Sequence, residues 1–358
     1  MISYVEVRDK YSRLPFATIE PAECWFELSY YGVGEFQVYT RATKTALASL
    51  KDGNYITIPH KPFIWLIEDI EQKYVAGRGY MISATGRQAK AILGKRIINA
   101  QTQLPSDLTT ATFGLIQKHA GTAAGEVRKI DGLEEFTSTI IQPITETQVS
   151  YANLLTYTDE LSQAYEVGAE LTLTEAAAFR YNLYMGVDRS AEIIFSQTFD
   201  NLLSSSYKRS KAAFRTFALI GGQGEGTGRI LQEYNAAPSL RGIDRAEMFV
   251  DAKDISSKYT DKNGQEQELD LSTAAGLETY KKWLAERGKS KIAETLQIDS
   301  FEGEIDTEAT PYKFGEDFYL GDRVRVQDDF LGVYITPRIL KFTMRQDRTY
   351  GEVVEYGG

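Results

Sequence analysis

A period of two runs through both ends of the chain, and it restricts the fold more than any other feature. In "ISYVEVRD", "YITIP", "FIWLIEDIEQKY" and "GRGYMISATG", apolar residues alternate with polar ones or run together between Gly, Pro and Asp turns. A strand sends successive side chains to opposite faces, so this spacing belongs to strands. "WFELSYYGVGEFQVYT" adds apolar runs around a Gly turn. Strands so closely spaced predict a sandwich or barrel over residues 1–100. The 22 Tyr and 17 Phe agree, because aromatic residues suit a pleated, half-buried surface. In "GRQAKAILGKRIINAQ", Ala89, Ile92, Leu93 and Ile97 share helical spacing, and this helix would close off the barrel.

Residues 101–190 change character. "SDLTTATFGLIQKHA" opens with the cap residues Ser106 and Asp107. In "SYANLLTYTDELSQAYEVG" an apolar stripe joins Tyr151, Leu154, Leu155, Leu161 and Tyr165, with Thr158 as its polar gap; one helix ending near Gly168 is expected. "FRYNLYMGVDRS" then alternates, with Phe179, Tyr181, Leu183 and Met185 on one side. The segment reads as an α+β module.

Strands resume from residue 191 in "AEIIFS", "KAAFRTFALI" and "RAEMFVDA". The polar "TDKNGQEQELD" reads as a hairpin tip turning at Asn263–Gly264. It is not a calcium loop: with Gly264 sixth, the first position is Tyr259 where Asp is needed. Leu277, Tyr280, Trp283 and Leu284 mark a helix stopping near Gly288, and "KIAETL" adds a short helical piece. "DSFEGEID", "DFYLGDRVRVQ", "GVYITPRILKFTMRQ" and "YGEVVEYG" complete a second β-rich block. In "GDRVRV", Val324 and Val326 point inward against outward Arg323 and Arg325.

Little here carries chemistry. A net charge of -10 argues against a sequence-independent grip on nucleic acid, which needs a basic surface. Cys24 is the one cysteine, expected buried, so an internal disulfide and a thiolate metal cluster are excluded. His60 lies in a turn and His119 late in a helix, too far apart in sequence to suggest a zinc or triad site. The carboxylates of "EGEID" and "QDD" read as solvated faces, and "SSSYKRSK" as a flexible polar turn without a nucleophile elbow. Trp25, Trp65 and Trp283 sit in apolar contexts that favour core packing over sugar stacking. No run of about 18 apolar residues is present, so no membrane-spanning segment, cofactor or metal is expected.

The glycine-rich "GGQGEGTGR" follows the apolar run "FALI" and invites a phosphate-cradle reading. Gly221 puts Gly226 in place for a Walker loop, but Thr227 stands where Lys must reach the phosphates. A dinucleotide fingerprint started at Gly222 or Gly224 meets Thr227 or Arg229 at its third glycine position. Both nucleotide motifs fail, leaving a loop between strands.

Three stretches resemble the baseplate-hub proteins of long-tailed phages, namely the hub domains that begin tail-associated lysins and related siphovirus tail-tip proteins. They are "ISATGRQAKAILGKRI"; then "FRYNLYMGVDRSAEIIFSQTFDNLLSSSY" with "FALIGGQGEGTGR" and "GIDRAEMFVDAKD"; and "LAERGKSKIAETLQIDSFEGEI" with "YKFGEDFYLGDRVRV". Their order and spacing carry the resemblance through nearly the whole chain. It implies an α+β, β-rich fold with two β-barrel tube domains, an α/β lateral module and a helical insertion. The first barrel would be residues 1–100 and the second 191–258 with 299–358. The lateral module would be 101–190 and the insertion 259–298.

It also implies a structural role without catalysis: a homotrimeric ring at the virion tail tip, made in the host cytoplasm. The ring would continue the tail tube, dock on the six-fold distal tail protein and reduce its symmetry to three-fold. Tape-measure protein and DNA would pass through it without specific binding, and receptor-binding or fibre proteins are further expected partners. Gly221, Gly222, Gly224, Glu225, Gly226, Gly228 and Arg229 then become a candidate subunit-contact loop. The chain ends at Gly358, just after the last hub strand, so no lysin part is expected in it. The alternatives are a peptidoglycan hydrolase and a carbohydrate-binding host-recognition protein.

Overall fold

The computed structural model describes residues 2–261, 265–295, 298–306, 309–330, 332–347 and 349–357. Its backbone is one antiparallel sheet of eleven strands that draws on both ends of the chain. The order is Leu202–Ser210, Ile298–Ile305, Tyr350–Gly357, Arg338–Gln346, Glu23–Ser29, Glu35–Arg41, Gly79–Gln88, Ile64–Val75, Tyr55–Thr57, Val5–Arg8 and Pro15–Ile19. The seam lies where Glu23–Ser29 pairs with Arg338–Gln346, Leu28 opposite Phe342. Seven strands come from the N-terminal block and four from the C-terminal one. Among the described residues the ladder does not close on itself, so the fold is β-rich and α+β without a closed barrel.

The period-two pattern explains the faces. Cys24, Phe26 and Leu28 alternate inward, while Trp25, Glu27 and Ser29 alternate outward. One core beneath the sheet joins Val5, Phe26 and Trp65 to Phe301, Phe342 and Tyr356. The unbroken run Ile64–Ile67 has a different cause. Trp65 and Ile67 enter that core, whereas Ile64 and Leu66 enter a second core on the opposite face. A strand covered on both sides reads as continuously apolar.

The second core belongs to the lateral module. Strands Gly168–Leu173, Phe179–Tyr184 and Leu133–Ser138 form a small sheet, packed with helices Leu108–His119 and Leu154–Ala164. Asp107 caps the first helix by accepting from the Thr110 amide at 2.8 Å. Thr158 lies on the buried stripe, where its hydroxyl returns to the carbonyls of Leu154 and Leu155. The helix is shorter than its pattern: it ends at Ala164, and Tyr151 sits outside it, exposed, at a positive φ. Ala89–Lys95 is a 3-10 helix that buries Ala89, Ile92 and Leu93 but leaves Ile97 exposed.

Strands Leu231–Asn235, Phe217–Gly221 and Glu247–Asp251 form a third unit with helix Ala274–Ala293. Ala218, Ile220, Val250, Tyr280, Trp283 and Leu284 are its core. The helix runs through Gly288, where a stop was expected. A Cβ there would sit 2.6 Å from Ile220 Cδ1, so this glycine serves close approach of helix to sheet. The expected Asn263–Gly264 turn lies outside the described residues. Three further readings change. "SSSYKRSK" forms most of the outermost strand, Leu202–Ser210, because each residue from Ser204 to Ser210 pairs in register along Ile298–Ile305. Trp25 is half-buried on the outer face and donates to Gln37. Met185 falls just past the end of its strand and is exposed.

Candidate functional site

The glycine loop is built from the inside out. Arg229 folds back: its Nη2 donates to the Gly221 carbonyl at 2.7 Å and to Asp251 at 2.5 Å, and its Nε to the Gly222 carbonyl at 3.1 Å. Tyr280 Oη accepts from the Gln223 amide at 2.9 Å and donates to the Ile255 carbonyl at 2.7 Å. Gly222 must be glycine because a Cβ would lie 2.7 Å from that hydroxyl. Gly224 has φ +96°, and its Cβ would overlap the Gly228 carbonyl. Gly226 and Gly228 face open space, beside exposed Glu225. The amides of Gly222 and Gly228 point at carbonyls, and the one cation is already paired, so the loop offers no phosphate cradle.

The titratable groups singled out by sequence stay apart. His119, at the end of its helix, is buried between Asn99 (3.2 Å) and Thr102 (3.5 Å). Burial first, then Lys118 and Arg128, push its pKa down to about 4, which favours the neutral imidazole. His60 is exposed in a turn at φ 63°. Cys24 is buried, and burial pushes its thiol up to about 12. Trp65 and Trp283 are in cores. Among the described residues no group of three His, Cys, Asp or Glu forms a metal site, and no helix is long and apolar enough to cross a membrane.

The structure instead concentrates interactions along the seam. Lys341 reaches Glu27 across it at 3.4 Å and Glu355 on the other side at 3.7 Å. Burial raises the Glu27 pKa against the pull of Lys341. Arg345 pairs with Glu304, and Gln37 donates to Ser83 at 2.9 Å. Ion pairs thus lace strand to strand over a polar outer face. The sheet has two edge strands that each lack a second strand partner among the described residues. Pro15–Ile19 pairs only with Val5–Arg8, and Leu202–Ser210 only with Ile298–Ile305, among the described residues. Phe16 (54%) and Leu203 (61%) are exposed on them.

A second joint, absent from the sequence reading, fixes the lateral module to the sheet. Buried Arg338 donates to the Gly321 carbonyl at 2.6 Å and to Glu166 at 2.9 Å, with its guanidinium over the Tyr30 ring. Tyr30 Oη donates to the Glu166 carbonyl at 2.9 Å. Lys90, almost fully buried, pairs with Asp159 at 2.9 Å and donates to the Tyr31 carbonyl. Arg323 of "GDRVRV" faces Glu166 at 3.7 Å, while Val324 and Val326 are buried as their alternation predicted.

The model of the Siphovirus ReqiPepy6 Gp37-like protein family matches residues 5–355. Among solved structures, the chain is similar to the prophage MuSo2 43 kDa tail protein from Shewanella oneidensis. The TM-score is 0.60 at 13% identity, covering 99% of this chain and 98% of that one. It is similar too to a tail protein from Neisseria meningitidis MC58, with a TM-score of 0.58 at 11% identity and 99% and 96% covered. Prophage tail protein gp18 from Listeria monocytogenes EGD-e gives 0.55 at 10%, with 99% and 94% covered. At such identities these likenesses show the shared fold. No curated protein matches.

Proposed function

Since the chain belongs to the Siphovirus ReqiPepy6 Gp37-like family of phage tail proteins, we propose that it is a non-catalytic hub at the distal tail tip, three copies closing into a ring that continues the tail tube. The observation that carries this reading is the unclosed sheet, whose two edge strands lack a second strand partner among the described residues. Unpaired strand edges are templates for further strands, and natural monomers cover or charge them. Here the two ends are different surfaces of one chain. Joining one end to the other end of the next copy is a head-to-tail contact, which generates a ring when the rotation closes.

The seam supports a two-fold division of each copy. On its N-terminal side stand seven strands. On the other stand four, adjoined by the small sheet Ile194–Ser196, Arg325–Asp328 and Val333–Ile335 through the bridge between Arg323 and Arg338. We take these as the two tube domains, so that three copies present six similar units to a six-fold distal tail protein. Residues 101–190 are the lateral module. The unit around helix Ala274–Ala293, with strands from Phe217 to Asp251, is the insertion, larger than residues 259–298. The polar face is the surface past which tape-measure protein and DNA move, and Glu225–Gly228 is the part of the glycine loop open to a neighbour or a fibre protein. Native mass spectrometry of isolated tail tips tests the stoichiometry. Three copies of the 40.2 kDa chain per tip are expected; six copies, or one, would overturn the reading.

A further inference from the structure

Four cations where the 3-10 helix Ala89–Lys95 runs into the lateral module stand without an acidic partner among the described residues, although the chain as a whole carries a net charge of -10. Lys95, Arg96, Lys118 and Arg128 form no ion pair among the described residues. Between Lys95 and Arg128 the sequence has only two carboxylates, Asp107 and Glu126. Asp107 caps the far end of helix Leu108–His119, and Glu126 pairs with Lys129 at 3.1 Å. The cations are also held in place. Arg96 Nε donates to the Arg128 carbonyl at 2.7 Å, Arg128 Nη2 to the Ile97 carbonyl at 2.6 Å, and Lys118 Nζ to Thr102 at 3.1 Å. The backbone beneath is pinned by the Ile97–Asn153 bridge and by the turn in which the amides of Arg128 and Lys129 donate to the Gly125 carbonyl. Each guanidinium keeps N–H groups that meet no acceptor among the described residues.

Two large aliphatic side chains stand among these charges. Ile97 is 55% exposed and Val127, at the tip of the turn, is 97% exposed. With Lys95, Arg96, Asn99 and Arg128 they line a shallow depression of about 350 Å³. We infer that this depression docks a segment of a partner protein in which carboxylates alternate with aliphatic side chains. Pre-positioned Arg96 and Arg128 suit carboxylates, which accept from a guanidinium fork. Ile97 and Val127 would be shielded from water by the aliphatic residues. A nucleic acid backbone fits less well, because it has nothing apolar to cover Val127. The inference rests on residues 95–128 alone and stands or falls apart from the hub reading.

The probe is a fluorescein-labelled twelve-residue peptide of alternating Glu and Leu, followed by anisotropy against the full chain at about 20 mM and about 150 mM salt. Binding is expected at low salt, weakening at the higher one. Lys95→Gln with Arg128→Gln should loosen it about tenfold, and Ile97→Ser, which removes no charge, about threefold. Lys253→Gln, an exposed cation elsewhere, should change nothing. Melting curves check that each variant is folded, and Ile97→Ser carries the test if the double variant is not. Three results would each overturn the inference: no binding to the wild type, equal affinity in the variants, or a duplex DNA or poly-Glu probe binding as tightly as the alternating peptide.

Discussion

Truncating Phe342 to alanine tests whether the two ends of the chain fold as one body. The ring is fully buried, stacks on Phe314 at 3.8 Å with an 8° interplanar angle, and meets Phe318 at 6.2 Å. Across the seam it stands opposite Leu28. Phe→Ala in a core costs about 3–5 kcal/mol. The stacked pair adds about 0.5–1.5 kcal/mol beyond area, and the sheet above cannot sink into the void, so about 4 kcal/mol is expected. The assay is native-state hydrogen exchange. Because one core spans the seam, protection of Val5–Arg8, six strands away from Phe342 in the sheet order, should fall by the same free energy as that of Tyr350–Gly357. If the C-terminal strands lose protection while Val5–Arg8 does not, the blocks are independent and the shared-core argument fails.

Tyr280→Phe removes a hydroxyl that satisfies the Gln223 amide and the Ile255 carbonyl. It should cost about 1–3 kcal/mol in urea titration, and a loss below half a unit would mean that water replaces it. Gly224→Val, at φ +96°, should destabilise by about 1–3 kcal/mol. Gly228→Val, in open space at ordinary φ, should leave melting unchanged yet reduce tail assembly in phage, if the loop tip is a contact. Normal assembly with Gly228→Val would make the loop a local turn only. For His119, the folded pKa is depressed from 6.5 to about 4. Folding therefore favours neutral imidazole: the stability is full above the unfolded value near 6.5 and is lost as pH falls toward 4. Allowing for solvent screening, about 1–2 kcal/mol should disappear between pH 7 and 4. His119→Gln should lack this component of the urea-midpoint profile; an identical profile would refute it.

Strands were legible wherever one face is buried, because burial writes period two into the sequence: "FRYNLY" and "RVRV" held their faces. What pattern could not supply was partnership. Nothing in "WFELSYY" or "ILKFTMRQ" says that these two runs, over three hundred residues apart, pair with each other, so two separate β-rich blocks were read where one sheet exists. Edge strands were harder still. Leu202–Ser210 has few apolar residues because half its neighbours are missing, and it read as a turn. Gly288 looked like a helix stop because sequence shows a missing side chain but not the Ile220 that fills its place. Of the candidate loop, the failed nucleotide spacing was legible, whereas the inward turn of Arg229 depends on Asp251, which a parallel strand brings alongside. The joint of Arg338 with Glu166 and Tyr30 had no local signal. The basic depression did have one, in the scarcity of carboxylates between Lys95 and Arg128.

Electron cryomicroscopy of intact tail tips tests the hub proposal most directly. The account predicts a three-fold ring around an open channel, with Pro15–Ile19 of each copy hydrogen-bonded to Leu202–Ser210 of the next and the polar face of the sheet lining the hole. A tip in which these two edges lie apart, facing solvent or other proteins, would contradict it.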